Sequence, residues 1–367
     1  MFKLRIVQAN YGDCFILEYG TPAAPRYLLI DGGPLNVFSD HLESELQAIA
    51  DSGGKLDLVA VSHVDTDHIV GVMDLMASLR DQRTNGTDEL IGINAIWHNS
   101  FSSTLDSDGE IQSRLNGLLG AFSSATPQST AAVAGIGEGN RVRQFALQLG
   151  IPINDGFADN LICVDDAPDP IQFGNLSLQI VGPTRANLDE LHDDWEEWLD
   201  KMGAELASSD PSAKANADIS IPNLSSVMFL AMAHGKTILL TGDGRSDHLL
   251  SGLIASGLLS EGGTLHVDIL KVMHHGSDRN ATKKFFKTVT ADTYVVSANG
   301  HPDNPDLATL IWIVEAAQAA DRNIRLVFTN ETPATRKLRN EYPPADYGYD
   351  LAILARSKHA MTLSLAD

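Results

Sequence analysis

The stretch AVSHVDTDHIVGV, residues 60–72, sets two histidines and two aspartates into the positions from His63 to His68, between two apolar runs. The run before it, LDLVAVS at 56–62, has the pattern of a strand buried on both faces. The run after it, HIVGVMDLMASLRDQ, reads as a helix. Charge at the end of a buried strand is costly unless something compensates it. Alternate side chains of an extended segment point one way, so His63 and Asp65 share a face. Asp67 and His68 follow where the chain turns into the helix, so the four groups converge on one small volume. Imidazole with carboxylate suits Zn²⁺, Mn²⁺ or Fe²⁺, and a bound ion offsets the buried charge. The rival reading is a helix N-cap with solvated neighbours, which needs no metal. The loop lacks the glycine and terminal glutamate of an EF-hand, and no HExxH occurs in the chain.

Two more apolar runs end in the same kind of residue. KTILLTGDGRSD closes on Gly242-Asp243, and VDILKVMHHGSDRN closes on His274-His275-Gly276-Ser277. Three strands finishing in ligand residues at one sheet edge would meet at one site, where Asp243 can bridge two ions. Adjacent residues on a strand point oppositely, so one of His274 and His275 is expected as a ligand, with His275 favoured and His274 packing or supporting it. Asp31, between the strand RYLLI at 26–30 and Gly32-Gly33, either orients a ligand histidine or stabilises the turn.

Around these motifs the chain alternates strands and helices. SDHLESELQAIADSGG is a helix, with Ser39 as N-cap and Gly53-Gly54 as its stop. The region of about 100–215 is looser; within it 171–184 reads as a hairpin and 187–206 as an amphipathic helix with a crowded acidic face. That face is either a solvated surface or a lid or docking element. The GxGxG in AAVAGIGEGN lacks the full dinucleotide fingerprint and reads as a turn before a short helix. Downstream, SVMFLAM, KTILLTG, VDILKVM, TYVVSA and IRLVFT are strands, with helices at SDHLLSGLIASG and DLATLIWIVEAAQAA.

Composition limits the partners. The 367 residues are 43% hydrophobic, enough for a sizeable core, and carry a formal net charge of −22, which disfavours a wide nucleic-acid footprint. The two cysteines, Cys14 and Cys163, form no CxxC pair and suggest no disulfide framework. No apolar run reaches the roughly 18–20 residues of a membrane span, and the first residues lack a signal-peptide layout. The expectation is a cytoplasmic chain that makes no membrane contact.

Taken in order, SHVDTDH, LLTGD and HHGSD resemble the metallo-β-lactamase fold superfamily, and within it the hydrolase domain of ComEC-type competence proteins and their soluble stand-alone relatives. The opening QANYGDCFILEY…YLLIDGG resembles that group's first strands, with Gly12-Asp13 and Asp31-Gly32-Gly33 in place. NLSSVMFLA at 223–231 and VSANGHPDNPDLATL are similar to its later motifs, so the likeness spans most of residues 1–330 outside the looser middle. It implies an α/β fold: one metallo-β-lactamase-like domain over 1–367, a four-layer αββα sandwich with an elaborated middle region at about 100–215. It implies two divalent ions, Zn²⁺ or Mn²⁺, held by His63, Asp65, Asp67, His68, Asp243 and His275. Asp67 and His301 would serve catalysis, His301 as an acid or a substrate clamp. The superfamily usually carries a histidine where Asp65 stands, and a carboxylate there favours harder ions. Its separate middle histidine has no clear counterpart: His98 falls too early, His192 lies on the acidic helix, and Asn223 stands near the expected position. The implied activity is hydrolysis of a phosphodiester, with a short strand or nucleotide-derived substrate fitting the net charge best. The alternatives are a lactone or thioester hydrolase on the same fold, or a metal-stabilised interaction module that binds a protein partner through 187–206.

Overall fold

The apolar runs fold as strands of two sheets in a computed structural model, which describes residues 1–99, 113–114, 139–207, 225–301 and 303–367. The first sheet holds β1 (Phe2–Val7), β2 (Phe15–Thr21), β3 (Ala24–Ile30), β4 (Leu56–Val61) and β5 (Ile96–His98), with β14 (Ala360–Ala366) beside β1. From β14 to β3 neighbours run antiparallel, whereas β3, β4 and β5 are parallel. The second sheet runs in the order β13 (Tyr349–Ile353), β12 (Ile324–Phe328), β11 (Val289–Val296), β10 (Leu265–Lys271), β9 (Lys236–Leu240), β8 (Met228–Ala233), β7 (Leu176–Gly182) and β6 (Ile171–Phe173). Its β9 to β13 half is parallel and its β6 to β9 half antiparallel. The hairpin expected at 171–184 therefore extends this sheet by two strands.

Side-chain alternation gives each sheet two apolar faces. One buried cluster draws on both sheets: Phe15, Leu17, Leu58 and Ala60 from the first, Leu178, Phe229, Val295 and Val327 from the second. The opposite parity of the first sheet, with Ile16, Val59 and Val61, packs on α1 (Glu43–Asp51), α2 (Thr66–Asn85) and the helical segment 139–149. The opposite parity of the second sheet, with Tyr294, Val296, Leu326 and Phe328, packs on α4 (Ser246–Ala255), α5 (Lys283–Thr288) and α6 (Leu307–Ala319). Each such fully buried side chain contributes about 1.5–3 kcal/mol. β4 is buried along its whole length, as its apolar run predicts. Its one charge, Asp57, accepts hydrogen bonds from Tyr19 Oη at 2.6 Å, Arg26 Nε at 2.7 Å and Asn94 Nδ2 at 3.0 Å.

α3 (Arg185–Ala207) forms where the amphipathic pattern places it, burying Leu188, Leu191 and Leu199 while Asp189, Glu190, Asp193, Glu196 and Glu197 stay exposed. Two local expectations need correction. Ser39 is no N-cap: residues Phe38–Leu42 form a wider helical turn that runs straight into α1, and Ser39 Oγ donates to Asn36 O at 3.2 Å instead. His274 and His275 do not sit on a strand: Met273–Gly276 is a tight turn in which both histidines are left-handed, at φ 46° and 54°. Of the GxGxG glycines, Gly135 and Gly137 lie outside the described residues, whereas Gly139 opens the helical segment 139–149. No helix among the described residues is long and apolar enough to cross a membrane.

Candidate metal centre

The two sheets meet at the carboxyl ends of their parallel strands. Val227 N donates to Ser62 O at 2.7 Å, and Ser297 Oγ donates to Gly12 O at 2.6 Å, each bond joining one sheet to the other. Asp31 follows β3, His63 follows β4, Asp243 follows β9 and His275 follows β10, while Asp13 closes the β1–β2 turn. Strand ends leave backbone groups unpaired and side chains free to converge, the usual place for ligands in α/β sheets. Backbone contact sets the seam: a Cβ on Gly12 would lie 1.9 Å from Asp67 O, and one on Gly71 would lie 2.0 Å from Gly32 O. Glycine at these positions lets the 10–13 loop and α2 close on the site.

Asp13, His68, Asp243 and His275, all buried, each offer a ligand atom within 4.8 Å of one another. Asp67 joins them: its Oδ2 lies 3.2 Å from His275 Nε2 and 4.0 Å from His68 Nε2. Asp243 stands at the centre, with Oδ1 3.2 Å from His68 Nε2 and Oδ2 3.4 Å from His275 Nε2. His63 Nε2 lies 3.9 Å from Asp243 Oδ2 and 3.5 Å from Asp65 Oδ2, and Asp65 is the more exposed partner. Of the six residues expected to hold metal, His68, Asp243 and His275 belong to the buried group, Asp67 and His63 adjoin it, and Asp65 reaches it through His63.

The Nε2 atoms of His63, His68 and His275 and Asp243 Oδ1 are buried and lack any hydrogen-bond partner among the described residues. The Nδ1 atoms, in contrast, are engaged. His68 Nδ1 faces Asp31 Oδ2 at 2.9 Å, His275 Nδ1 faces Ser297 O at 2.9 Å, and His63 Nδ1 faces Ser62 Oγ at 3.0 Å. A carbonyl or carboxylate at Nδ1 fixes the proton there and leaves Nε2 a lone pair aimed into the cluster. Asp31 is itself held by the Ser62 backbone N–H and hydroxyl, both at 2.7 Å.

Asp13 and Lys271 are absent from the sequence-based set. Lys271 is fully buried; its ammonium pairs with Asp13, donates to Gly242 O at 2.7 Å and stands 3.5 Å from Asp243 Oδ1. Asp13 faces the Nδ1 sides of His275 and His68, at 3.4 and 3.8 Å. It therefore lies behind the lone pairs, as a support for the histidines. A lysine inside the apolar run VDILKVM was the available signal.

Charge coupling is strong. Burial would raise the carboxyl pKa of Asp67 and of Asp243, but His68 and His275 hold both below the usual range. Burial would lower His68 and His275, but Asp243 leads the carboxylates that raise both well above an ordinary imidazole.

Of the remaining expected residues, His274 borders the cluster and His301 stands outside it. His274 Nε2 is 3.7 Å from Asp243 Oδ2, with its side chain partly exposed. His301 is exposed; its ring centroid is 5.4 Å from that of Tyr11, and among the described residues it makes no ion pair or hydrogen bond to the cluster. Tyr11 has its hydroxyl pKa raised by burial and then by the charge of Asp67. His98 is buried on β5, and His192 lies on α3. Asn223 lies outside the described residues.

No protein-family model matches the chain, and no curated protein matches it.

Proposed function

We propose that the chain is a metal-dependent hydrolase acting on phosphodiesters, a nuclease or phosphodiesterase, on a single metallo-β-lactamase-like domain. Two sheets packed face to face, each with helices against its outer side, support a four-layer αββα sandwich. The observation that carries the reading is the set of buried imidazole lone pairs, each pinned at Nδ1, converging on carboxylates without a hydrogen-bond partner. Such donors fit Zn²⁺ or Mn²⁺, and an ordinary structural cluster would satisfy them with protein hydrogen bonds.

His63, Asp65, Asp67, His68, Asp243 and His275 would hold two divalent ions. Ions bound there would acidify water near neutral pH and offset the charge of an anionic substrate. Asp243 turns Oδ1 to His68 and Oδ2 to His275, so that both of its oxygens face imidazole lone pairs. Asp31 and Ser297 hold the imidazoles in their working tautomer, and Lys271 holds Asp13 behind them. Tyr11 and His301 flank the exposed side, where His301 clamps substrate or gives a proton to the leaving group. The net charge of −22 favours a small phosphodiester over long duplex.

The test is metal content by mass spectrometry beside hydrolysis of bis-p-nitrophenyl phosphate with added Mn²⁺ or Zn²⁺. The reading requires about two ions per chain, turnover, and its loss in Asp67→Ala and Asp243→Ala. Opening of a lactone or thioester with phosphodiesters untouched would move the activity to that class. Bound metal without turnover on either would leave an interaction module docked through α3.

A further inference from the structure

We propose that His274 is a metal ligand, so that the adjacent histidines of the HHGS turn each hold one ion; this rests on the metal-centre reading above. Around Asp243 the donors fall into two groups. The inner group is Asp67, His68 and His275, with His68 and His275 almost fully buried. The outer group is His63, Asp65 and His274, where the Asp65 and His274 side chains are 42% and 33% exposed. The inner group is complete as it stands. The outer one has only two ligands besides Asp243 unless His274 joins it, because the described residues place no other imidazole there.

Three observations give His274 that role. First, its tautomer is fixed by a relay. Asn280 Nδ2 donates to Asp243 O at 2.9 Å, so the Asn280 amide oxygen is the atom 2.7 Å from His274 Nδ1. That oxygen can only accept, which puts the proton on Nδ1 and the lone pair on Nε2. The arrangement repeats what Asp31 does for His68 and Ser297 for His275.

Second, His274 Nε2 comes as close to the central carboxylate as the neighbouring imidazole does: it lies 3.7 Å from Asp243 Oδ2, against 3.9 Å for His63 Nε2, which in turn is 3.5 Å from Asp65 Oδ2. Two donors on one ion stand roughly 3.3–3.6 Å apart, so His274 and Asp243 are close to ligand spacing.

Third, the backbone is turned to make it possible. His274 (φ 46°, ψ 50°), His275 (φ 54°, ψ 18°) and Gly276 (φ 89°) are successive left-handed residues. On a strand the two imidazoles would face opposite ways; the left-handed turn aims both at Asp243 Oδ2, at 3.7 and 3.4 Å. L-residues rarely hold that conformation, and where they do the surroundings over-determine it, most often at functional sites.

The experiment is Zn²⁺ titration of chelator-stripped full chain, followed by competition with a chromophoric chelator and by mass-spectrometric stoichiometry. His274→Asn is the main variant, since asparagine tolerates the left-handed backbone but is too short to reach the ion. Wild type should bind two ions. His274→Asn should bind one tightly, with the other weakened about 100-fold or more, as in Asp65→Asn. His275→Asn should lose the inner ion instead. Asn280→Ala keeps His274 but frees its tautomer, and should weaken the outer ion about 10- to 100-fold. Two ions in wild type with both affinities unchanged within about threefold in His274→Asn and Asn280→Ala would overturn the proposal and leave the metal-centre reading intact. A wild type that binds one ion regardless of His274 overturns it likewise. No Zn²⁺ bound by wild type would overturn both.

Discussion

Replacing Lys271 by methionine removes a buried ammonium while nearly keeping the volume of its stem. Lys271 is 1% exposed and Asp13 is 1% exposed, so neither charge reaches water. Burial works against the ammonium, and Asp13, Asp243 and Asp31 outweigh it and raise its pKa. Burial works equally against Asp13, and Lys271 followed by His275 and His68 lower its pKa. The sign of both shifts is that of a pair. Its contribution is present at pH 7, is lost as acid titrates Asp13 through its lowered pKa, and is lost as alkali titrates Lys271 through its raised one. Removing one partner of such a pair leaves the other charge stranded, which costs about 3–5 kcal/mol. Lys271→Met also removes the shortest hydrogen bond to Gly242 O, at 2.7 Å, leaving the longer ones from His274 N and Thr241 Oγ1.

The assay is urea unfolding at pH 7 in the presence of chelator, with Lys271→Met, Asp13→Asn and the double variant compared as a cycle. Lys271→Met should lose about 3–5 kcal/mol, and adding Asp13→Asn should restore a large part of it, giving a coupling energy of about 2 kcal/mol or more. A Lys271→Met variant within about 1 kcal/mol of wild type, or a cycle without coupling, would refute the claim that this ammonium neutralises Asp13.

Asp31→Asn keeps the left-handed backbone at φ 56° but removes the charge that holds His68 Nδ1, so Zn²⁺ affinity should fall about 10-fold in chelator competition; an unchanged affinity would show that His68 orients itself. Gly71→Ala would drive a Cβ to 2.0 Å from Gly32 O, backbone against backbone, and should cost about 2–3 kcal/mol in thermal unfolding, whereas an unshifted melting temperature would mean α2 can slide off that loop. His98 is pushed down to about 4 by burial, with the charge of Arg143 adding and a Gly139 backbone contact opposing. Its folded pKa is depressed, so stability is full above the unfolded value near 6.5 and is lost as pH falls towards 4, about 1.4 kcal/mol by pH 5.5. His98→Gln should flatten that slope in melts between pH 7 and 5, and a slope that survives the substitution would assign it to other groups.

What the sequence reveals of this site follows from where covalent spacing does the placing. His63, Asp65, Asp67 and His68 are neighbours in the chain, and their convergence needs only a strand running into a helix. Asp243 and His275 each close an apolar run, and parallel strands put such ends on one edge. Asp13 and Lys271 carry no such mark, because each is one charged residue whose partner lies on the other sheet. The placement of His274 and His275 on a strand fails for a different reason. Alternation applies to extended backbone, and two left-handed histidines before Gly276 are set by tertiary contacts that local sequence does not encode.

The buried charge nevertheless has its own logic. Among the described residues, Asp13, Asp31 and Asp243, with Asp67 at their edge, face a single ammonium, which leaves most of their charge unmatched by fixed cations. Burial opposes protons on His68 and His275, yet the carboxylates outweigh it and raise both pKa values. Protons and metal ions compete for the same Nε2 lone pairs, so the field that draws protons to these imidazoles is the field a divalent cation would answer. A cluster built only for stability would reach a lower energy with fewer carboxylates and apolar neighbours.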